Sequence, residues 1–393
     1  TNRLLGTALT AAEIVRLLTA IEIEAAVDSD GAAITARPPS FRVDIHQPED
    51  LLEEIARLWG YNRIAPRRPH VAAMKARPDR SLAVRCALRN LLIGFGFAET
   101  INYSFVSERA VRQLRLAEDD SRRAVVEILN PLTEDQNVMR TSLVPGLVET
   151  AVRNLAQQTK DIKIFEIGKT FISRGVDCLP EERTVLAALW TGLRHEVAWN
   201  RTSAACDFYD IKGALEGLLE GLQVSTIRFS RPGTEKAPYL QEGVAAEVAV
   251  GERTIGLVGQ LHGEVLSSFD LKQPAYLFEI DLELLLPLIP AQTTAAPLPR
   301  YPATSRDITL IVDEDLEAQH VLSAIQGMKH DLIENVWIFD VFKGKPIPTG
   351  KKSLSLRVVY RSPEATLEDE SVNAVHRDLT AQLLTVCEAD LPV

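Results

Sequence analysis

Proline decides where this chain can be continuous. Five prolines stand at 287, 290, 297, 299 and 302, and a second stretch rich in Arg and Pro covers 63–77. Proline fixes its φ and has no N–H to donate, so neither stretch suits the inside of a helix or a central strand. The 393 residues are thereby cut into blocks at 1–70, 78–290 and 297–393. The two larger blocks have ample length for a core of their own.

Within the first block, residues 10–21 put Ile14, Leu17, Leu18 and Ile21 on one helical face, with Thr10 and Glu13 spaced as a capping box. A short strand is expected at 32–36. A second helix is expected at 48–59, with Pro48 in its first turn and Gly60 just past its end.

The middle block opens with a helix at 81–94 carrying Leu82, Arg85, Leu88, Arg89 and Leu92 on one face. Strands are expected at 101–106, 125–129, 162–167, 185–191, 226–229, 244–250, 254–259 and 276–282, and helices at 143–158 and 208–222. Glu252-Arg253, after Gly251, reads as a hairpin turn. Strands in such succession with few helices predict an antiparallel sheet backed by helices. The last block orders its periods as strand 308–312, helix 316–328, strands 333–342 and 353–360, and helix 369–385, with room for a short final strand. That is a ferredoxin-like βαββαβ sandwich. The fold class is α+β, multidomain.

Composition removes several function classes. Hydrophobic residues are 46% and charged residues 25%, which is neither disordered, collagen-like nor coiled-coil. Lys plus Arg is 43 against 54 Asp plus Glu, a net charge of −11 and a poor match for a general nucleic-acid coat. A local basic patch remains open. Cys86, Cys178, Cys206 and Cys387 are far apart with no C-x-x-C pair, so neither a zinc site nor a disulfide framework is supported. A reducing cytosol, and hence a cytoplasmic location, is the expectation. No apolar run reaches membrane-spanning length.

Two clusters could carry chemistry. Asp50, Glu53 and Glu54 share a helix face, and Asp44 lies just upstream. Hard oxygen donors in this number suit Mg²⁺; acids that complement a helix dipole are the competing reading. The second cluster is Lys343, Lys345, Lys351, Lys352, Arg357 and Arg361, six positive residues in a run without Asp or Glu. It suits RNA phosphates, with Tyr360 or Phe342 to stack on bases; a solvated, lysine-protected hairpin edge is the alternative. Gly256, Gly259 and Gly263 match no phosphate loop. The seven His form no metal motif, and Ser142 and Ser203 lack a nucleophile elbow. Cys86 is expected to pack in the core.

The segments 39–45 (PSFRVDI) and 49–64 (EDLLEEIARLWGYNRI) resemble the bacterial phenylalanyl-tRNA synthetase β-chain family. So do Asn130-Pro131-Leu132, 139–147 (MRTSLVPGL), 165–169 (FEIGK), Tyr301-Pro302, Arg306-Asp307-Ile308, 339–344 (FDVFKG) and 350–354 (GKKSL). The resemblance covers essentially the whole chain. It implies a winged-helix-like domain at 1–70, a catalytically inactive class II synthetase-like antiparallel sheet with helices at 78–290, and a ferredoxin-fold anticodon-binding domain at 297–393. It also implies a preceding half, with an RNA-binding barrel and an editing domain, outside this sequence.

The family's Mg²⁺ ligands fall on Asp44, Asp50, Glu53 and Glu54. Catalytic relatives place a phosphate-gripping Arg in the strand that here reads Ile164-Phe165-Glu166, where a carboxylate would repel ATP. No catalytic residue is therefore expected. ATP belongs on a partner α-chain, joined in a heterotetramer of two α and two β chains that charges tRNA(Phe) with phenylalanine. A general RNA-binding scaffold without a synthetase partner and a stand-alone ATP-dependent ligase are the alternatives; no membrane contact is expected.

Overall fold

The computed structural model describes residues 1–66, 79–175, 177–233, 235–293, 295 and 297–392. Contacts divide the chain into two units, Thr1–Arg77 and Pro78–Val393. Most of the expected linker at 63–77 lies outside the described residues.

In the first unit, helix Ala11–Thr19 starts on the capping box. Glu13 N–H donates to Thr10 Oγ1 at 3.3 Å, and Thr10 N–H donates to Glu13 Oε2 at 2.8 Å. Strands β1 (Glu24–Val27) and β2 (Ile34–Arg37) form an antiparallel hairpin. β1 was not foreseen, since Glu and Ala are weak strand formers and only pairing makes a strand of them. Helix Pro48–Trp59 ends at Gly60, whose φ of 105° favours glycine. Leu9, Ile14, Leu18, Ile23 and Ile55 make the core.

The second unit is built on a sheet ordered β3-β6-β7-β11-β10-β9-β8. The strands are β3 (Ala98–Glu99), β6 (Ile162–Ile172), β7 (Glu181–Thr191), β8 (Ile227–Ser230), β9 (Leu240–Val250), β10 (Arg253–Leu261) and β11 (Ala275–Asp281). Every pairing is antiparallel except β3 with β6. The β9–β10 turn is Gly251-Glu252, one residue before the expected pair, and Gly251 takes the positive φ of 61° that such a turn needs. One face packs on helix Val144–Ala156 through Val144, Leu147, Val148 and Ala151. The other packs on helices Arg80–Gly94 and Phe208–Gly221 through Leu88, Leu92, Leu215 and Leu219.

Three expectations fail here. Only β4 (Phe105–Val106) is regular within 101–106, and it pairs with β5 (Val138–Met139) outside the main sheet. Residues 125–129 contribute one bridge, Glu127 to Val138, rather than a strand. Both segments run off the sheet edge, which leaves Ile101 93% exposed and Leu129 fully so, while Val125 still packs against the core. Cys86 is exposed, because helix Arg80–Gly94 buries only Leu88 and Leu92 and Cys86 turns away from that stripe.

The remainder of this unit has strands β12 (Thr304–Asp313), β13 (Ile333–Phe342) and β14 (Lys351–Tyr360) in the order β12-β14-β13, all antiparallel. Helices Ala318–Gly327 and Asp369–Val386 cover one face, burying Leu310, Val312, Leu354, Leu356 and Val358. The expected last strand is reduced to one bridge, Ile311 to Asp390.

Candidate functional site

A row across the main sheet places Glu166 of β6 and Glu279 of β11 on either side of Ala187 of β7. The small alanine leaves room for the segment Arg140–Ser142 to lie over the face. Arg140 Nη1 meets Glu166 Oε1 at 2.5 Å, and Arg140 Nε donates to the Lys169 carbonyl at 2.9 Å. Asn102 Nδ2 donates to Glu166 Oε2 at 2.7 Å. At the other end Ser142 Oγ and Leu143 N–H donate to Glu279 Oε1 at 2.8 and 3.1 Å. A Cβ on Gly168 would come within 2.2 Å of Arg140 Nη2, so glycine is what admits the guanidinium. Glu166 is therefore no open anion. Its charge is neutralised in a buried pair, which corrects its reading as a repeller of ATP. Ser142 is likewise spent on Glu279.

The acidic cluster of the first unit is also internally engaged. Arg42 donates to Asp44 through Nε at 3.0 Å and Nη2 at 2.7 Å, and to Glu54 Oε1 through Nη2 at 2.9 Å. Arg57 meets the other oxygen of Glu54 at 2.5 Å. The Arg42 guanidinium holds the Asp44 carboxyl at about 2. Arg57, with Arg42, keeps Glu54 below the usual range. Asp50 accepts from His46 N–H at 2.7 Å and Gln47 N–H at 2.9 Å, capping its own helix, and these bonds lower its pKa. Glu53 points to solvent. Among the described residues, no three His, Cys, Asp or Glu side chains converge on a metal position. As arranged, the four carboxylates fit a guanidinium and a helix start, not a divalent cation.

The basic run folds onto acids from other elements. Lys343 pairs with Glu314 at 2.7 Å, Lys351 with Asp390 at 2.5 Å, Arg357 with Asp307 at 2.7 Å and Arg361 with Glu334 at 2.8 Å. Lys352 Nζ donates to the carbonyls of Glu314 and Leu316 at 2.8 and 2.7 Å. Lys345 is exposed. Tyr360 is fully buried, its hydroxyl 2.9 Å from His376 Nδ1, and so cannot stack on a base. The alternation of β14 turns it inward with Leu354, Leu356 and Val358. Phe342 is exposed. Sequence reasoning missed Trp337 and Phe339, which stand 41% and 49% exposed on β13, with the Arg357 guanidinium 5.2 Å from the Phe339 ring centroid. Their signal was available, as aromatics in alternate register.

Family models match the chain in tandem. Residues 1–61 match the tRNA synthetase B5 domain, 64–282 the phenylalanyl tRNA synthetase beta chain CLM domain, and 299–392 the ferredoxin-fold anticodon binding domain. The phenylalanine–tRNA ligase beta subunit of Syntrophus aciditrophicus is 41% identical over 98% of this chain and 48% of its own length. That of Syntrophotalea carbinolica is 37% identical over 94% and 46%. That of Geobacter sulfurreducens is 37% identical over 98% and 47%. The chain thus spans about half the length of the curated relatives it matches. A solved pyrrolysyl-tRNA synthetase from Desulfitobacterium hafniense aligns at 17% identity with a TM-score of 0.42, over 70% of this chain and 88% of that one. With more than half of the chain matched by one model and both flanks by its companions, the chain belongs to the phenylalanyl-tRNA synthetase β-chain family.

Proposed function

We propose that this chain acts in the non-catalytic β-subunit of a phenylalanine–tRNA ligase. It holds a catalytic α-chain, which binds ATP, in a heterotetramer of two α and two β chains, and it binds tRNA(Phe) in the cytoplasm. Its domains on this reading are a winged-helix-like 1–70, an inactive class II synthetase-like 78–290 and an anticodon-binding 297–393.

The observation that carries the reading is the open face of the last sheet, where Trp337, Phe339 and Arg357 stand together away from the helices. Rings and a stacked guanidinium on a sheet are suited to unstacked bases of a single-stranded loop. The acid-paired lysines and arginines then position the phosphate backbone only where RNA displaces their partners. A second feature supports the α-chain. Ile101, Tyr103, Leu129 and Leu132 are each at least 75% exposed around the sheet edge, an apolar surface of the kind a partner covers. The central face supports holding rather than chemistry, since Glu166 and Glu279 are both spent on the Arg140–Ser142 segment.

Mg²⁺ on Asp44, Asp50, Glu53 and Glu54 is part of the proposal only with Arg42 displaced, because Arg42 now bridges Asp44 and Glu54. The test is co-expression with the α-chain. The expected result is a stable complex that charges tRNA(Phe), with charging weakened through KM for tRNA in Trp337→Ala and Phe339→Ala. A chain that elutes alone would remove the scaffold role; unchanged KM would remove the sheet face.

A further inference from the structure

Helix Arg80–Gly94 turns one stripe to the core, and residues 81, 85, 88 and 92 follow it at helical spacing. Leu88 and Leu92 on that stripe are fully buried. Position 85 would suit a third apolar side chain, yet Arg85 stands there, half-buried. The other arginines of this helix are engaged: Arg80 donates to the Ile289 carbonyl, and Arg89 pairs with Glu99 at 2.7 Å. Arg85 makes no hydrogen bond or ion pair among the described residues, and its Nε is sealed from water. An unanswered guanidinium at the edge of a core is costly, so it calls for an anion.

A cavity of about 240 Å³ lies beside Arg85, between the first turns of its helix and the short helix Leu282–Leu285, over β6 and β7. Lys169 and Thr184 are opposite each other in that strand pair, and alternation points both to the face that carries Phe165, Ile167 and Leu186. This is the reverse of the face on which Arg140 meets Glu166. Lys169 is spent on Glu182 at 2.5 Å. Thr184 Oγ1 makes no hydrogen bond among the described residues and is the second free donor of the lining. Val84, Leu282 and Leu285 make the walls apolar, and Glu283 stands exposed at the rim without an ion pair among the described residues.

A guanidinium presents a planar fork of donors that matches phosphate or carboxylate oxygens. The volume is below that of sites for nucleotides and other molecules of their size, so only a small ion fits. We propose that this cavity binds a small oxyanion, inorganic phosphate in the first instance, with Arg85 and Thr184 as its donors. The site is independent of RNA binding and of the α-chain.

Phosphorus NMR line broadening of inorganic phosphate by the full chain, at constant ionic strength in chloride, tests it. Saturable binding is expected, with a dissociation constant of about 1 mM or lower. Arg85→Gln should weaken binding about tenfold or more, and Thr184→Val several-fold. Glu283→Gln, at an exposed side chain, should tighten it several-fold by removing a repelling charge. Should Arg85→Gln fail to fold, Glu283→Gln decides alone. Absence of saturation at about 10 mM phosphate would overturn the proposal. Wild-type affinity in Arg85→Gln or in Glu283→Gln would overturn it too, and would mark an adventitious ion only.

Discussion

Arg140 and Glu166 meet at 2.5 Å with their side chains 7% and 3% exposed, and the pair fastens residues 140–142 across the main sheet. Neither charge has water to return to if the other is removed. Glu166→Gln should therefore destabilise the second unit by about 3–5 kcal/mol, whereas Arg140→Met with Glu166→Leu together should recover most of that loss. Urea unfolding followed by tryptophan fluorescence reads this out; an unshifted midpoint for Glu166→Gln would show that the pair is dispensable.

His376 packs against buried Tyr360, and burial holds its pKa below the usual 6.5. The unfolded chain takes up a proton near pH 6.5 that the folded chain resists. The contribution to stability is full above that pH and is lost as pH falls below it. The groups facing this ring are Tyr360, Arg306 and Asp307. A melting temperature that drops between pH 7.5 and 5.5 in the wild type, and drops less in His376→Gln, is the expected result. Parallel curves would assign the dependence elsewhere.

Asp44 behaves with the opposite class of group but the same direction in pH. Its folded pKa is about 2 against 3.8 unperturbed, so its share of stability is present above about 4 and disappears as pH falls toward 2. Asp44→Asn should flatten acid unfolding of the first unit in that window, measured by circular dichroism at stepped pH.

Arg42 competes with any cation for the same oxygens. Arg42→Gln should lower the stability of the first unit only slightly without metal, as loss of solvent-screened ion pairs does. It should also make stability depend on added Mg²⁺ more than in the wild type. Thermal melts with and without millimolar Mg²⁺ decide this; equal responses would take the cation away from these four carboxylates.

Binding of tRNA should weaken steeply with salt if basic side chains exchange their acidic partners for phosphates. Lys345, exposed on its hairpin, is the mildest probe: Lys345→Glu should lower affinity several-fold at low salt and little at high salt. Filter binding across a salt series measures both. A flat salt response would leave only the stacking face at 337 and 339.

Local signals were enough for much of this chain. Helices Ala11–Thr19 and Pro48–Trp59 were legible because a capping box, a first-turn proline and a following glycine act within a few residues. β13 was legible to the residue, Ile333–Phe342, because a run of β-branched and aromatic residues is a local strand signal. The segments at 101–106 and 125–129 carry strand-like residues too, yet only the sheet's edge decided that they would not join it. Charge was decided by tertiary structure throughout. The run from 343 to 361 contains no acid, but Glu314, Asp390, Asp307 and Glu334 reach it from other elements. Glu166 finds Arg140 26 residues back along the chain. Backbone periods depend on neighbours in sequence, whereas a Coulomb pair depends on separation in space, so the fold was written locally and its electrostatics were not.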